Sequence, residues 1–363
     1  MSSLTTMPKT ERASSTLRLA TRMSRLGTET AFEVLVRARA LEAKGQHIIH
    51  LEIGEPDFDT PRNVIDAGID ALNKGFTHYG PAPGLPELRQ TIADYVSRTR
   101  HVSVKPEEVV VVPGGKPIMF YAIMALADEG DEVIYPNPGF PIYESMVNFV
   151  GAKAVPIQLR EELDFSLDVT ELASKITDRT RMIILNSPHN PTGGILTKRD
   201  IERIAEAIGD RDIFVLSDEI YSRLLYDGQQ HFSIMSLPDW KDRTILLDGF
   251  SKTYAMTGWR MGYGVMRADL AVQVSRLQTN AVSCTASFTQ MAGIEALKGD
   301  QAPVEKMAAE FKRRRDYVVE RLNKIKGFSC KMPKGAFYVF PNITKTGWKS
   351  KPLADALLET AGV

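Results

Sequence analysis

Residues 109–130 read VVVVPGGKPIMFYAIMALADEG, and their order decides the fold. Four consecutive valines, Val109 to Val112, are too β-branched and too short a run for a helix; a strand apolar on both faces is one buried on both faces. Gly114 and Gly115 then supply a turn, and Pro117 suits the first turn of a helix. Met119, Phe120, Ile123, Met124 and Leu126 recur at helical spacing, with Gly130 placed to end the helix. Strand, glycine turn and helix in that order form half of a strand–helix–strand unit.

The alternation continues outward. Further strands are predicted over 132–135, 154–157, 182–186, 213–216, 245–248 and 263–266. Thr197, with Asp200 three residues on, makes a capping box that opens a helix over 198–208. Thr60-Pro61 starts a helix that Gly75 ends. A long charged helix is expected over 303–326, followed by Gly327, and a short strand over 336–340. Such alternation implies an α/β fold with a mostly parallel sheet covered by helices on both faces. We divide the chain into an N-terminal arm (1–27), a large domain (61–299) and a smaller α/β domain built from both ends (28–60 and 300–363).

Composition narrows the functional classes. The 363 residues are 43% apolar and 25% charged, enough for a large globular core. Lys+Arg and Asp+Glu are both 45, so no uncompensated basic surface is available for nucleic acid. No apolar run reaches the roughly 18–20 residues of a membrane span. Cys284 and Cys330 lack metal-ligand spacing, so no metal is expected, and they read as buried thiols of a cytoplasmic protein. Residues 1–27 are rich in Ser, Thr and Arg with Glu11 as the one acid, which reads as a disordered arm in preference to a transit peptide.

Ligands of open α/β sheets gather beyond the carboxyl ends of the strands. Gly114, Gly115 and Lys116 follow one predicted strand end, Asn190 another, Asp218 and Tyr221 a third, and Ser251 and Lys252 a fourth. A lysine, a carboxylate, a tyrosine, an asparagine and an anion-binding glycine turn suit pyridoxal phosphate. Its aldehyde takes a lysine amine as a Schiff base, its ring nitrogen takes a buried carboxylate, and its phosphate takes backbone N–H groups and a guanidinium fork.

The residues themselves then resemble a family. GFSK (249–252) followed by MTGWR (256–260) is similar to the cofactor-lysine segment of class I/II aminotransferases of fold type I. NSPHNPTG (186–193) resembles that family's asparagine motif, SDEIY (217–221) its aspartate–tyrosine motif, and GEPDF (54–58) its substrate-side loop. Tyr79-Gly80 and Pro83-Gly84 match the turn that reaches a neighbouring subunit. The resemblance runs from about residue 27 to 340, in the family's order, and leans toward the aspartate aminotransferase branch.

The resemblance implies roles. Lys252 is the Schiff-base lysine and then the base that moves a proton between the substrate α-carbon and the cofactor. Asp218 pairs with the ring nitrogen; Tyr221 and Asn190 bind the ring oxygen. Arg260, Ser251 and the Gly114-Gly115-Lys116 turn hold the phosphate, Phe140 stacks on the ring, and Tyr79 reaches the phosphate in the partner of a homodimer. Gly54, Asn190 and the Lys116 side chain face substrate, the lysine reading the distal carboxylate of an acidic donor. Each has a plainer alternative: a solvated lysine for Lys252 or Lys116, a helix cap for Asp218, a surface ion pair for Arg260, a core ring for Phe140, a rim tyrosine for Tyr79.

The expected reaction is transamination between an amino acid, aspartate or glutamate, and a 2-oxo acid such as 2-oxoglutarate. A C–S lyase using the same residues and a non-catalytic cofactor- or partner-binding protein are the competing readings. Two departures bear on this. Gly249 stands where relatives often have a phosphate-binding serine, a loss of about 1 kcal/mol. The chain stops at Val363, before the segment from which relatives supply the arginine for the substrate α-carboxylate, which reads as truncation.

Overall fold

A computed structural model describes residues 17–363. Seven strands form one sheet: β1 (Val109–Val112), β2 (Glu132–Asn137), β3 (Lys153–Gln158), β4 (Thr180–Asn186), β5 (Phe214–Asp218), β6 (Thr244–Gly249) and β7 (Gly262–Val265), in the order β1-β7-β6-β5-β4-β2-β3. β7 runs antiparallel to both neighbours, and the other pairings are parallel. The carboxyl ends of β1, β4, β5 and β6 therefore share one rim.

The helices are α1 (Ala31–Glu42), α2 (Arg62–Asn73), α3 (Pro86–Arg100), α4 (Lys116–Leu126), α5 (Ile142–Val150), α6 (Val169–Lys175), α7 (Lys198–Ile208), α8 (Ala268–Val282), α9 (Ser287–Lys298), α10 (Ala302–Leu322) and α11 (Ser350–Ala356). None is long and apolar enough to cross a membrane among the described residues. The period-2 geometry of a strand explains the layers. Val110 and Val112 of β1, Met182 and Ile184 of β4, and Ile245 and Leu247 of β6 join α4, α5 and α8 in one core. Their alternates face the other way: Val109, Val111 and Leu246 against α3 and α9, Ile183 and Leu185 against α6 and α7. Burial on both faces accounts for the continuous apolar runs.

The capping box forms as expected: the Thr197 Oγ1 accepts from the Asp200 N–H at 3.2 Å and Asp200 Oδ2 accepts from the Thr197 N–H at 2.9 Å. Other elements differ from the sequence reading. α10 ends at Leu322, four residues early, because the Asn323 carboxamide turns to bond both backbone groups of Cys330, at 2.7 and 3.1 Å. α4 stops at Leu126, before Gly130, since Ala127 is already extended. No strand forms over 336–340. Ala336 has φ +56°, and the single bridges Leu225 to Gly335 and Ser329 to Asn342 fall on either side of this stretch. A left-handed residue cannot continue an extended run, and the bend turns Phe337 and Tyr338 toward the sheet rim.

The end of the arm is also more ordered than its composition implies. Residues 21–25 form a 3-10 turn, and the Gly27 N–H donates to Ser145 Oγ at 2.9 Å while that hydroxyl donates back to the Gly27 carbonyl at 3.1 Å. Arg25 adds a bond to the Phe149 carbonyl, so 25–27 dock on α5. Residues 1–16, the rest of the arm, lie outside the described residues. The two chain ends meet. Ala38, Ile48 and Leu358 pack together, Arg37 pairs with Asp355 and Glu359 at 2.6 and 2.7 Å, and the Ile49 N–H donates to the Gly362 carbonyl.

Candidate active site

The rim of β1, β5 and β6 carries three charged groups, Asp218, Lys252 and the exposed Arg260, that form no ion pair among the described residues. Asp218, the last residue of β5, is fully buried, and burial pushes its carboxyl up to about 6. Its oxygens accept from the Tyr143 hydroxyl at 2.6 Å and the Ile220 N–H at 3.3 Å. No cation among the described residues forms an ion pair with it. Lys252 follows β6 in a tight turn; burial lowers its ammonium to about 8, and its Nζ donates to the Gly54 carbonyl. It lies near enough to Asp218 for its charge to favour the carboxylate.

The third group is Arg260. Its guanidinium lies over the turn between β1 and α4, so close that a Cβ on Gly114 would sit 2.3 Å from it. Gly114 is also at φ +81°, a conformation other residues rarely adopt. Arg260 bonds the Thr257 carbonyl at 3.0 Å and pairs with no carboxylate among the described residues. Gly115 caps α4; the Ile118 N–H bonds the Gly115 carbonyl at 3.1 Å, while the N–H groups of Gly115 and Lys116 have no acceptor among the described residues, and the helix dipole favours an anion. A guanidinium fork and a helix N-terminus thus converge on one anion position.

Side walls complete the cleft. On one side Phe140 stands edge-on to Tyr143, centroids 5.7 Å apart, and the Lys116 Nζ lies 5.2 Å from the Phe140 ring centre. Lys116 itself is ion-paired with Glu29. On the other side the Tyr221 hydroxyl bonds that of Tyr338 at 2.5 Å, and Phe337 packs edge-on to Tyr221 and lies 5.6 Å from the Lys252 Nζ. Burial pushes the Tyr221 hydroxyl well up, and that of Tyr338 to about 12, so both remain protonated donors. A Cβ on Gly54 would sit 2.4 Å from the Tyr338 oxygen; only glycine admits this ring.

The remaining expected residues fall as follows. The Asn190 N–H is fixed by Asn186 Oδ1 at 2.8 Å, and Asn186 in turn bonds the Asp218 carbonyl, tying the ends of β4 and β5. Ser251 is buried beside Lys252. Tyr79 stands apart, 90% exposed. Sequence reasoning missed Tyr143, Tyr338 and Glu29. Tyr143 had a signal: it lies three residues after Phe140, one helical turn along. Glu29 had none.

Behind Asp218 sits a buried charge cluster. Arg100 bonds Glu219 at 2.8 Å and Asp248 at 3.1 Å, and His231 bonds Glu219 at 2.7 Å. Burial alone would raise Glu219, but His231 and Arg100 outweigh it and hold that carboxyl low. Asp248 is pushed up to about 7 by burial despite Arg100. The cluster clamps the ends of β5 and β6 and so fixes the spacing of Asp218 and Lys252.

A cavity of about 750 Å3 lies elsewhere, between α10 and residues 58–61 and 253–255. Its guanidiniums are already paired, Arg313 and Arg314 with Glu310 and Arg314 with Asp57, and it is lined by no buried carboxylate. The cleft, by contrast, fits pyridoxal phosphate on its chemistry. A protonated ring nitrogen matches Asp218, a phosphate matches Arg260 and α4, and an aldehyde matches the amine of Lys252, which burial shifts toward its neutral form.

Comparison with known proteins agrees. The family model for aminotransferase class I and II matches residues 46–363. The aspartate aminotransferase of Pyrococcus horikoshii is 42% identical over 323 residues, 88% of this chain and 82% of the relative. The crystal structure of the aspartate aminotransferase from Rhizobium meliloti superposes with a TM-score of 0.91 at 36% identity, over 96% of this chain and 90% of that one. That of an aromatic aminotransferase from Pyrococcus horikoshii gives 0.84 at 41% identity, over 90% and 87%. The chain belongs to the class I and II aminotransferases, whose cofactor is pyridoxal phosphate.

Proposed function

We propose that this chain moves an amino group between an amino acid and a 2-oxo acid, with aspartate or glutamate as donor and 2-oxoglutarate as acceptor. The observation that carries the reading is the buried Asp218 carboxyl, without an ion-pair partner of its own, near a half-buried Lys252. When bound, pyridoxal phosphate supplies an aldehyde carbon that takes up the amino group and a ring that delocalises the charge left by loss of the α-hydrogen.

Lys252 would hold the aldehyde carbon and Asp218 the ring nitrogen. Arg260, Ser251 and the Gly114-Gly115-Lys116 turn would hold the phosphate, Phe140 the ring face, and Tyr221 and Asn190 the ring oxygen. An amine held near 8 is partly neutral at physiological pH, so Lys252, once free, can take and return the α-proton. Tyr143, by donating to Asp218, fixes the orientation of the carboxylate. Lys116 and Gly54 face the substrate, the lysine on the distal carboxylate side.

We also read the chain as a cytoplasmic homodimer with a small domain formed by 28–60 and 300–363. Tyr79 supports the dimer: its loop is tied down by Ser287 Oγ to the His78 carbonyl and by the Leu85 N–H to Gln290 Oε1, yet it presents an aromatic ring to solvent. The free thiols of Cys284 and Cys330 suit a reducing compartment.

The test is a half-reaction. L-aspartate alone converts the absorption of the cofactor-loaded protein, and 2-oxoglutarate then restores it as glutamate appears. Sulfide, ammonia and pyruvate formed from cysteine with no amino-group exchange from aspartate, or no conversion by any amino acid, overturns the proposal.

A further inference from the structure

The ammonium that would read an acidic side chain is already occupied by the chain itself. Lys116 is ion-paired with Glu29, which lies on the turn leading into α1. The Lys116 Nζ is also 5.2 Å from the centre of Phe140 and 5.9 Å from that of Phe32, one turn beyond Glu29. Glu29 is no distant surface acid: its charge bears on both Lys252 and Tyr338 across the cleft.

Two features make the pair exchangeable. The Lys116 and Glu29 side chains are 42% and 22% exposed, so neither is locked by burial. The backbone beneath Glu29 is fixed, since both backbone polar groups of Gly27 bond Ser145 Oγ. The carboxylate can therefore leave Lys116 by turning its own side chain, without lifting the strap of residues 25–30 off α5.

We infer that Glu29 is a specificity-determining residue, an internal carboxylate that holds Lys116 when the substrate side chain is uncharged and yields it to the distal carboxylate of a dicarboxylic substrate. With the pair intact, the side-chain position is charge-balanced and flanked by Phe32 and Phe140, which suits an uncharged or aromatic side chain. With Glu29 turned away, the same ammonium meets aspartate or glutamate. One pocket then serves both classes, and affinity for dicarboxylates is set below what Lys116 alone would give. The inference rests on the acidic-donor reading of Lys116 proposed above.

The test is the binding of succinate, a C4 dicarboxylate with no amino group to transfer, measured by calorimetry on the cofactor-loaded protein. Glu29→Gln keeps the shape of the side chain and removes its charge on an accessible turn; an unchanged far-ultraviolet circular dichroism spectrum and melting temperature verify the fold. Releasing a partly exposed ion pair of this kind should tighten succinate binding by about fivefold, and the ratio of kcat/KM for aspartate over phenylalanine should rise in step. Lys116→Ala should weaken succinate binding, and Glu29→Gln should add nothing in the Lys116→Ala background. If Lys116→Ala weakens binding while Glu29→Gln leaves it unchanged, the role of Glu29 is overturned and the acidic-donor reading stands. If Lys116→Ala binds succinate as the unaltered protein does, both fall.

Discussion

Replacing Asp218 by Asn should stabilise the cofactor-free protein while weakening its hold on the cofactor. Burial raises the Asp218 carboxyl from its usual 3.8 to about 6. A carboxyl raised on folding binds more protons folded than unfolded. Stability therefore falls as pH rises through that window, and the cost is fully present above about 6. A gap of this size corresponds to about 3 kcal/mol. Asn removes the charge but has one acceptor oxygen for two donors, the Tyr143 hydroxyl and the Ile220 N–H, which returns a loss of about 1 kcal/mol or more. The net gain at pH 8 is about 1–2 kcal/mol, or about 1–3 °C in Tm. Scanning calorimetry of the cofactor-free proteins at pH 8 and pH 5 provides the assay. The gain should shrink at pH 5, where the native carboxyl is mostly protonated. With cofactor the order should reverse, because Asn cannot pair with a protonated ring nitrogen. An Asp218→Asn protein less stable than the parent at both pH values would refute the claim that this carboxylate is held in the cleft at a cost.

Two further perturbations probe the walls. Gly54→Ala places a methyl where the Tyr338 ring lies, within 2.4–2.9 Å of three of its atoms; overpacking of this kind costs about 1–3 kcal/mol, and we expect KM for the amino donor to rise well before cofactor binding fails, measured by steady-state kinetics beside cofactor titration. Arg100→Leu strands Glu219 and Asp248, both buried, which should cost about 3–5 kcal/mol at pH 8 in urea unfolding. Asp248, already pushed up to about 7, protonates on acidification, so the loss should be smaller at pH 5.5; an equal loss at both values would show that Arg100 acts by packing alone.

Much of the sheet was legible because burial on both faces leaves an unbroken apolar run, and turn residues mark where each run stops. β1 reads directly from Val109–Val112, and α7 from its Thr197–Asp200 box. The stretch 336–340 misled for the same reason. Ala-Phe-Tyr-Val-Phe has strand composition, but its left-handed Ala336 and lack of a continuous partner come from tertiary packing. At the rim, Gly114, Asn190, Asp218 and Lys252 stand out because each follows a predicted strand end, and Arg260 through the resemblance of the segment after Lys252. Tyr143 and Tyr338 meet Asp218 and Tyr221 across 75 and 117 residues, Glu29 meets Lys116 across 87, and Arg100 meets Glu219 across 119. No local periodicity encodes contacts at such separations. The arm shows the same limit: serines, threonines and arginines suggest disorder, while two hydrogen bonds to Ser145 hold its end in place.

The most direct measurement is the position of the covalent link. The protein loaded with pyridoxal phosphate is reduced with borohydride, digested, and its peptides are weighed. A phosphopyridoxyl group on the side chain of Lys252, lost in Lys252→Ala, is the predicted result. The same group on Lys116 or another lysine, or no stable adduct in a protein that still binds the cofactor, would contradict the account.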